Sequence, residues 1–175
     1  MSKILITYST TDGHTREICE RLKMVVEAQG NEVSLGPINN ERPVDLEIFD
    51  KIVIGASIRY GKHRPAVYAF VRKYRNELED KPTAFFSVNV VARKPEKNQP
   101  ATNPYLRKFL TQLSWRPREV EVFAGKIDYQ KYEFWDRQII RLIMWMTRGP
   151  TDPNTVVDFT NWTRVDDFGR MIARM

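Results

Sequence analysis

Residues 3–15 read Lys3-Ile4-Leu5-Ile6-Thr7-Tyr8-Ser9-Thr10-Thr11-Asp12-Gly13-His14-Thr15, an apolar run followed at once by a hydroxyl-rich turn. An apolar run without alternation is typical of a strand buried on both faces of a sheet. The segment after the turn has the apolar spacing of one helical face, which predicts a helix that ends near Gly30. That face consists of Ile18, Leu22, Val25 and Val26. The stretch therefore predicts a strand, a turn and a helix, which together open an α/β fold.

The rest of the chain repeats this alternation of strands and helices. Further strands are predicted over Glu32 to Leu35, Lys51 to Gly55, Pro82 to Val91 and Val120 to Ile127. Further helices are predicted from Pro65, over Tyr105 to Leu113, and over Trp162 to Ala173. Such alternation implies crossover units and a doubly wound parallel sheet with helices on both faces. We expect a single domain over residues 1–175 with a long insert over 128–154. Thr155 to Phe159 is predicted to be strand again, so that the insert interrupts the final strand.

Length and composition are those of one intracellular domain. The chain has 175 residues, of which 42% are hydrophobic, enough for one core. The single cysteine, Cys19, excludes an internal disulfide framework and a cysteine-cluster metal site, and it fits a reducing compartment. Met1 to Tyr8 has no charged region before an apolar stretch, which predicts no signal peptide. No apolar run reaches the roughly eighteen residues of a spanning helix.

The positive charge is concentrated in one part of the chain. The formal net charge is +6, and the segment Arg93 to Arg148 holds 12 of the 28 basic and 6 of the 22 acidic residues, so the remainder is balanced. Such an excess indicates nucleic acid, anionic lipid or an acidic small molecule as partner, or only an unevenly charged surface. Charge alone does not decide between these possibilities.

The turn after the first strand has the composition of a phosphate site. Helix N-termini offer free N–H groups and a positive dipole end, and the hydroxyl side chains add donors. No lysine follows Gly13 and the three-glycine fingerprint is missing, which argues against triphosphate and dinucleotide sites. We predict a phosphate monoester such as that of FMN, although an ordinary helix cap uses the same residue types. The candidates are Ser9, Thr10, Thr11, Asp12, Gly13, His14 and Thr15, with His14 ordering the turn.

Two further segments follow predicted parallel strands, at the edge where open sheets bind ligands. In the first, flanking glycines permit a tight path and Tyr60 is placed to lie against a flat ring; its candidates are Ala56, Ser57, Ile58, Arg59, Tyr60 and Gly61. In the second, backbone amides are expected to face the polar edge of a flavin; its candidates are Ser87, Val88, Asn89, Val90, Val91 and Ala92. We expect His63 to act as a cap or a surface residue and Cys19 to be packed in the core.

The element order and the phosphate turn resemble the flavodoxin-like fold, whose five parallel strands lie in the order 2-1-3-4-5. Longer strings are similar to the flavodoxin-type, quinone-dependent protoporphyrinogen oxidases of bacterial haem biosynthesis. The strings are Gly55 to Gly61, Phe86-Ser87-Val88-Asn89-Val90-Val91-Ala92-Arg93-Lys94-Pro95-Glu96-Lys97, Thr102-Asn103, Arg107-Lys108-Phe109-Leu110, Trp115-Arg116-Pro117 and the segment around Tyr132 to Met144. The resemblance covers nearly the whole chain, and the Val-Ala-Arg-Lys-Pro-Glu-Lys string is its most discriminating part.

The resemblance implies an FMN enzyme without a metal that oxidises protoporphyrinogen IX and reduces a membrane quinone, menaquinone or ubiquinone. It also implies a peripheral position on the cytoplasmic face of the bacterial inner membrane. An NAD(P)H:quinone oxidoreductase and a flavodoxin-type electron carrier remain as alternatives, the carrier disfavoured by a sequence pI near 9.5. A nucleic-acid-binding module accounts for the charge but leaves the three loops without a role.

The insert combines aromatic, aliphatic and basic residues, as interfacial helices do. We predict that it contacts an anionic membrane surface through Tyr132, Trp135, Ile139, Ile143, Trp145 and Met146. A core helix or a contact in a homo-oligomer would have similar composition. Because arginine pairs well with carboxylates, the predicted contacts to the acidic substrate are Arg59, Arg93, Lys94, Arg137 and Arg141.

Overall fold

A computed structural model describes all residues, 1–175. Its strands are β1 (Lys3–Ser9), β2 (Glu32–Pro37), β3 (Lys51–Arg59), β4 (Lys62–His63), β5 (Thr83–Asn89), β6 (Glu119–Ala124), β7 (Lys126–Asp128) and β8 (Val156–Asp158). Its helices are α1 (His14–Glu27), α2 (Pro65–Lys73), α3 (Arg75–Asp80), α4 (Pro104–Gln112), α5 (Phe134–Met146) and α6 (Trp162–Arg174). Short 3₁₀ turns follow β5, at Val90–Arg93 and Pro95–Lys97, and a third lies at Tyr129–Lys131.

The main sheet has the predicted doubly wound topology. Its parallel strands lie in the order β2-β1-β3-β5-β6, which is the 2-1-3-4-5 order expected of the flavodoxin-like fold. The short strand β4 pairs antiparallel with the end of β3. Because these strands are parallel, the carboxyl ends of β1, β3, β5 and β6 meet at one edge.

Helices cover the sheet on both faces, which explains the absence of alternation in its central strands. On one face, α1 and α6 pack through residues such as Ile18 and Phe168. On the other, α2, α3 and α4 enclose a cluster that contains Phe85, Phe109 and Trp115. Trp115 is therefore a core residue, although it lies within the basic part of the sequence.

The helical segment that begins at Pro65 is interrupted where the sequence predicts continuity. Tyr74, with φ −107° and ψ 25°, separates α2 from α3. The predicted apolar face is nevertheless buried, and it consists of Val67, Phe70, Val71, Tyr74 and Leu78. The hydroxyl of Tyr74 accepts a hydrogen bond from the backbone N–H of Val44, so the break is tied to the segment before β3.

The insert leaves the fold on a separate two-stranded ribbon. The predicted strand Val120 to Ile127 breaks at Gly125, whose N–H donates to the carbonyl of Asn89 (3.2 Å). The part after the break, β7, pairs antiparallel with β8. The segment Thr155 to Phe159 therefore forms part of this ribbon and does not rejoin the main sheet. The helix α5 lies between the two ribbon strands in the chain, and no helix in the structure is both long and apolar enough to span a membrane.

Candidate functional site

A cleft opens at the carboxyl edge of the sheet. The segments predicted from the sequence to bind a cofactor supply Thr10, Thr11, Asp12, His14, Thr15, Ser57, Ile58, Arg59, Tyr60, Gly61, Val88, Asn89, Val90 and Val91. The remaining predicted residues do not line it; these are Ser9, Gly13, Ala56, Ser87 and Ala92. The structure thus brings all three predicted segments together, with part of each buried beneath the surface of the cleft.

The turn after β1 is shaped to present N–H groups to the cleft. Gly13 has φ +89°, a conformation that L side chains rarely adopt, and its N–H donates to Oγ1 of Thr10 (3.0 Å). The first N–H groups of α1, which begins at His14, have no partner within the helix. The Oγ1 of Thr15 is buried and makes no hydrogen bond within the protein. These donors point to an anionic group at the start of α1.

His14 joins this turn to a distant loop. Its Nδ1 lies 2.9 Å from a carboxylate oxygen of Glu17, and its Nε2 lies 2.6 Å from Oγ1 of Thr160. The Thr160 hydroxyl in turn donates to the carbonyl of Ala124 (2.8 Å). His14 therefore orders the turn by linking the start of α1 to the segment before α6, and both of its ring nitrogens are occupied.

The second segment is mostly strand, which corrects the predicted loop from Gly55 to Gly61. β3 continues to Arg59, and only Tyr60 and Gly61, both with positive φ, form the turn. Gly55 does not shape a loop: a Cβ there would lie 2.3 Å from Cζ of Phe86, so the glycine makes room for a ring on the adjacent strand. The Oγ of Ser57 is buried, lines the cleft and has no partner within the protein.

The third segment is held by a pair of buried asparagines. The Oδ1 of Asn89 accepts from the backbone N–H of Ala92 (3.1 Å), which closes the 3₁₀ turn after β5. The Nδ2 of Asn103 donates to the same oxygen (3.1 Å), and Oδ1 of Asn103 accepts from the N–H of Leu106 at the start of α4. The two asparagines therefore hold in place the backbone that faces the cleft at Val90 and Val91.

His63 supports the same segment from the core, which corrects the expected cap or surface role. It is 4% exposed, packs against both Phe85 and Phe109, and lies with Nε2 3.0 Å from Oγ of Ser87. Burial lowers the pKa of His63 to about 3, so the ring is neutral near pH 7. The Ser87 hydroxyl also accepts from Nδ2 of Asn89 (3.3 Å), which connects the histidine to the asparagine pair.

Charged and hydroxyl groups join the insert to the first turn. Nη2 of Arg59 donates to Oδ1 of Asp12 (2.6 Å), and Nη1 of Arg59 lies 3.9 Å from Oδ2 of Asp136 in the first turn of α5. The hydroxyl of Tyr60 donates to the same Asp136 carboxylate, and this hydrogen bond raises the pKa of Tyr60. The insert is thereby held across the mouth of the cleft.

One wall of the cleft comes from segments for which the sequence predicts no cofactor contact. They supply Tyr105, Gly125, Lys126, Ile127, Tyr132, Ile140, Ile143 and Met144. Gly125 to Ile127 follow the fifth parallel strand, so the edge rule that identified the other loops also applies to them. The contribution of α5 has no such local signal, because it depends on how the insert folds back.

The predicted membrane contacts separate into two groups. Tyr132 is only 8% exposed, packs against Tyr129 and lines the cleft, so its predicted membrane role is wrong. Burial raises the pKa of Tyr132. The other residues are exposed on α5, with Trp135 at 75% and Trp145 at 71%. This group also contains Ile139, Ile143 and Met146.

The predicted carboxylate contacts are largely engaged by the protein itself. Nη2 of Arg93 donates to the carbonyl of Thr147 (3.1 Å), Nε of Arg137 to that of Tyr129 (3.0 Å), and Nε of Arg141 to that of Thr151 (2.8 Å). Lys94 does not line the cleft, and Arg59, which does, is paired with Asp12. The three arginines therefore use part of their donors on backbone of the insert, and their contact with a substrate stays a prediction.

Known proteins are similar to this chain over nearly its whole length. A family model described as a flavodoxin domain matches residues 5–154. The protoporphyrinogen IX dehydrogenase (quinone) of Escherichia coli strain K12 is 44% identical over 173 residues, which cover 99% of this chain and 96% of that protein. A protein of the same name from Leishmania major is 40% identical over 174 residues, which cover 99% of this chain and 75% of that protein.

Solved structures show the same fold at low identity. Oxidised flavodoxin 1 from Bacillus cereus superposes with a TM-score of 0.57 at 17% identity, covering 99% of this chain and 98% of that one. Flavodoxin 2 from the same organism gives a TM-score of 0.55 at 19% identity, covering 99% of both chains. At this identity the similarity concerns the arrangement of the strands and helices alone.

Replacement of His63 by Gln should reduce the acid sensitivity of the fold. Because the folded-state pKa of about 3 lies below the unfolded value near 6.5, the neutral ring stabilises the fold above pH 6.5 and this contribution is lost as the pH falls. We expect the wild type to lose about 1.4 kcal/mol more than His63→Gln between pH 7.5 and 5.5. Urea unfolding at both pH values measures the difference, and equal losses would show that His63 is protonated in the folded protein.

Proposed function

The chain belongs to the flavodoxin family, and from that premise we propose that it is an FMN-dependent enzyme that oxidises protoporphyrinogen IX and reduces a quinone. The family and the fold predicted from the sequence are confirmed by the matches to full-length relatives and to solved flavodoxins. Two relatives that carry the name protoporphyrinogen IX dehydrogenase (quinone) are 44% and 40% identical to this chain over almost its whole length. Their name supports the proposed activity.

The observation that carries the proposal is the composition of the cleft. One end has the hydroxyl groups and helix N-terminus of a phosphate site, and the other end is walled by apolar residues of the insert. An electron carrier needs only the first of these features. A wall made by Ile140, Ile143 and Met144 supports a reaction with a large apolar molecule at the flavin.

The residues present fit FMN. A phosphate monoester would satisfy the buried Oγ1 of Thr15, which has no partner within the protein, together with the free N–H groups of α1. The buried Oγ of Ser57 offers a further hydrogen bond along the same cleft. The backbone at Val90 and Val91, fixed by Asn89, offers amides to the polar edge of the ring. When bound, FMN supplies the capacity to accept and pass on electrons.

The protein's own part in the reaction is to position the reacting molecules and to exclude water. Asn103 and His63 hold the segment after β5 in place, and Asp136 holds α5 across the cleft through Tyr60. Oxidation proceeds in two-electron steps, and each step transfers two electrons and two protons from the porphyrinogen to one quinone, which becomes a quinol. The apolar wall from α5 keeps solvent away from the place where the porphyrinogen and the quinone react.

The exposed side of α5 supports a peripheral position on the membrane that holds the quinone. Its outward residues are Phe134, Trp135, Ile139, Leu142, Trp145 and Met146, whereas Ile143, which is 40% exposed, also lines the cleft. Arg137 and Arg141 turn their guanidinium groups to backbone carbonyls, so Lys131 and Arg148 at the two ends of the helix are the basic residues left to face lipid headgroups. Apolar insertion, with a smaller part played by charge, is therefore the basis of the proposed contact.

Replacement of Thr15 by Val should weaken FMN binding without weakening the fold. The Oγ1 of Thr15 makes no hydrogen bond within the protein. The substitution therefore removes a hydrogen-bond donor from a bound phosphate but breaks no hydrogen bond of the protein itself. We expect the Kd for FMN to rise by roughly ten- to hundredfold, since hydrogen bonds to charged groups contribute roughly 1.5–3 kcal/mol. Titration of FMN fluorescence measures this Kd.

The matched control for this change is Thr111→Val, which removes an exposed hydroxyl that donates to the carbonyl of Lys108 in its own helix. It should leave the Kd for FMN unchanged. The urea midpoint without added FMN should be no lower for Thr15→Val than for the wild type. An unaltered FMN affinity in Thr15→Val would exclude Thr15 from the phosphate site.

The proposed activity is tested by anaerobic mixing of the FMN-loaded protein with protoporphyrinogen IX. We expect the oxidised flavin absorption band to bleach and to return when menadione is added. The matched reductant is NADPH, which should bleach the band far more slowly. Bleaching by NADPH but not by the porphyrinogen would replace the proposal with an NAD(P)H:quinone oxidoreductase.

The membrane contact is tested with vesicles of phosphatidylcholine and phosphatidylglycerol. The double variant Trp135→Gln/Trp145→Gln should bind them roughly tenfold more weakly than the wild type, because two apolar side chains no longer enter the lipid. The control Met24→Gln/Ile48→Gln removes two exposed apolar residues elsewhere and should bind as the wild type does. Unchanged sedimentation with vesicles, or conversion of a dimer to a monomer by the tryptophan variant, would assign this face another role.

A further inference from the structure

A second groove adjoins the cleft on the side away from the insert. It lies between the turn after β3 and the helices α2 and α4. Gly61 and Tyr105 line both the groove and the cleft, so the two concavities adjoin at these residues. A ligand at the mouth of the cleft can therefore reach the groove past Gly61 and Tyr105.

The groove is basic and contains no acidic residue. Lys62, Arg72 and Lys108 line it, and none of the three contacts a carboxylate. His63 lies at its base and adds no charge near pH 7, since burial lowers its pKa to about 3. The groove therefore presents three cations with no anionic partner from the protein.

Part of this basic surface is held in position. The Arg72 guanidinium lies 5.9 Å from the centre of the Tyr68 ring, and the Tyr68 hydroxyl donates to Oε1 of Gln112 (2.9 Å). Tyr68 thus connects α2 to α4 across the groove. A cation–π contact of this kind leaves the N–H donors of the arginine without a protein acceptor, which suits recognition of a carboxylate.

We propose that this groove binds the carboxylates of the porphyrinogen while the apolar macrocycle lies against the cleft. This inference rests on the function proposed above and adds the place where the acidic side of the substrate is held. The cleft wall of Ile140, Ile143 and Met144 suits the apolar ring, and the cations of the groove suit the acid groups. The contacts predicted from the sequence, Arg93 and Arg137 among them, bind backbone carbonyls instead.

The test compares two double variants that remove the same charge from the same helices. Arg72→Gln/Lys108→Gln removes two cations of the groove. Lys73→Gln/Arg107→Gln removes their neighbours in sequence on α2 and α4, which are exposed and line neither concavity. The probes are protoporphyrin IX and its dimethyl ester, which lacks the free carboxylates, bound to the FMN-loaded protein and followed by porphyrin fluorescence.

We expect the wild type and Lys73→Gln/Arg107→Gln to bind the free acid more tightly than the ester. Arg72→Gln/Lys108→Gln should lose roughly three- to tenfold in affinity for the acid and nothing for the ester, as the loss of two exposed ion pairs implies. The KM for the porphyrinogen should rise by the same factor with kcat unchanged within about twofold, because this binding is uniform through the reaction. Added salt should weaken the acid's binding to the wild type and have little effect on the groove variant.

Two results would overturn the inference. If the wild type oxidises the porphyrinogen but binds acid and ester equally, or if both double variants lose the same affinity, the groove does not hold the carboxylates and the proposed function stands. If the wild type neither oxidises the porphyrinogen nor binds protoporphyrin IX, the function and the groove assignment fail together.

Discussion

Parallel pairing in register of β1, β3 and β5 is the constraint on which the site depends. Ser9 pairs with Ala56, and Ala56 pairs with Ser87, so three segments leave the sheet side by side. Parallel strands cannot be joined by hairpins, and each segment must begin its crossover at this edge. The free N–H groups of α1, the buried Oγ of Ser57 and the turn after Asn89 consequently face one cleft. Polar groups from distant parts of the chain meet there because the backbone hydrogen bonds of the sheet fix their relative height.

The insert changes what this edge can do. Here α5 supplies an apolar wall through Ile140 and Met144, in addition to the loops at the ends of the parallel strands. The same helix exposes Trp135 and Trp145 on its other side. A helix can serve two surfaces in this way because side chains about a turn apart share one face, while those between them point elsewhere. Asp136 connects this helix to the hairpin after β3, so its position is coupled through Arg59 to Asp12 in the turn after β1.

Much of the fold and part of the site could be predicted because their signals are local. The first turn, the buried strands and the burial of Cys19 follow from composition and spacing within a few residues. The errors occur where contacts join distant segments. Gly55 resembles a loop residue in the sequence, yet it lies within β3, where the ring of Phe86 on the neighbouring strand leaves no room for a Cβ. His63 follows a turn and resembles a surface residue, yet Phe85 and Phe109 bury it.

The sequence by itself determined the alternation of strands and helices and three of the segments that line the cleft, because each is written in contiguous residues and in their periodicity. The family and the strand order followed from the resemblance of its longer strings to known proteins. Only the tertiary structure decided which of the many basic side chains are free to bind a ligand. Arg93, Arg137 and Arg141 turn to carbonyls of the insert, while Lys62, Arg72 and Lys108 meet no acidic partner. The reason is that the pairing of a charge depends on which groups approach it in space. Those groups come from segments tens of residues apart, whose approach local sequence patterns do not encode.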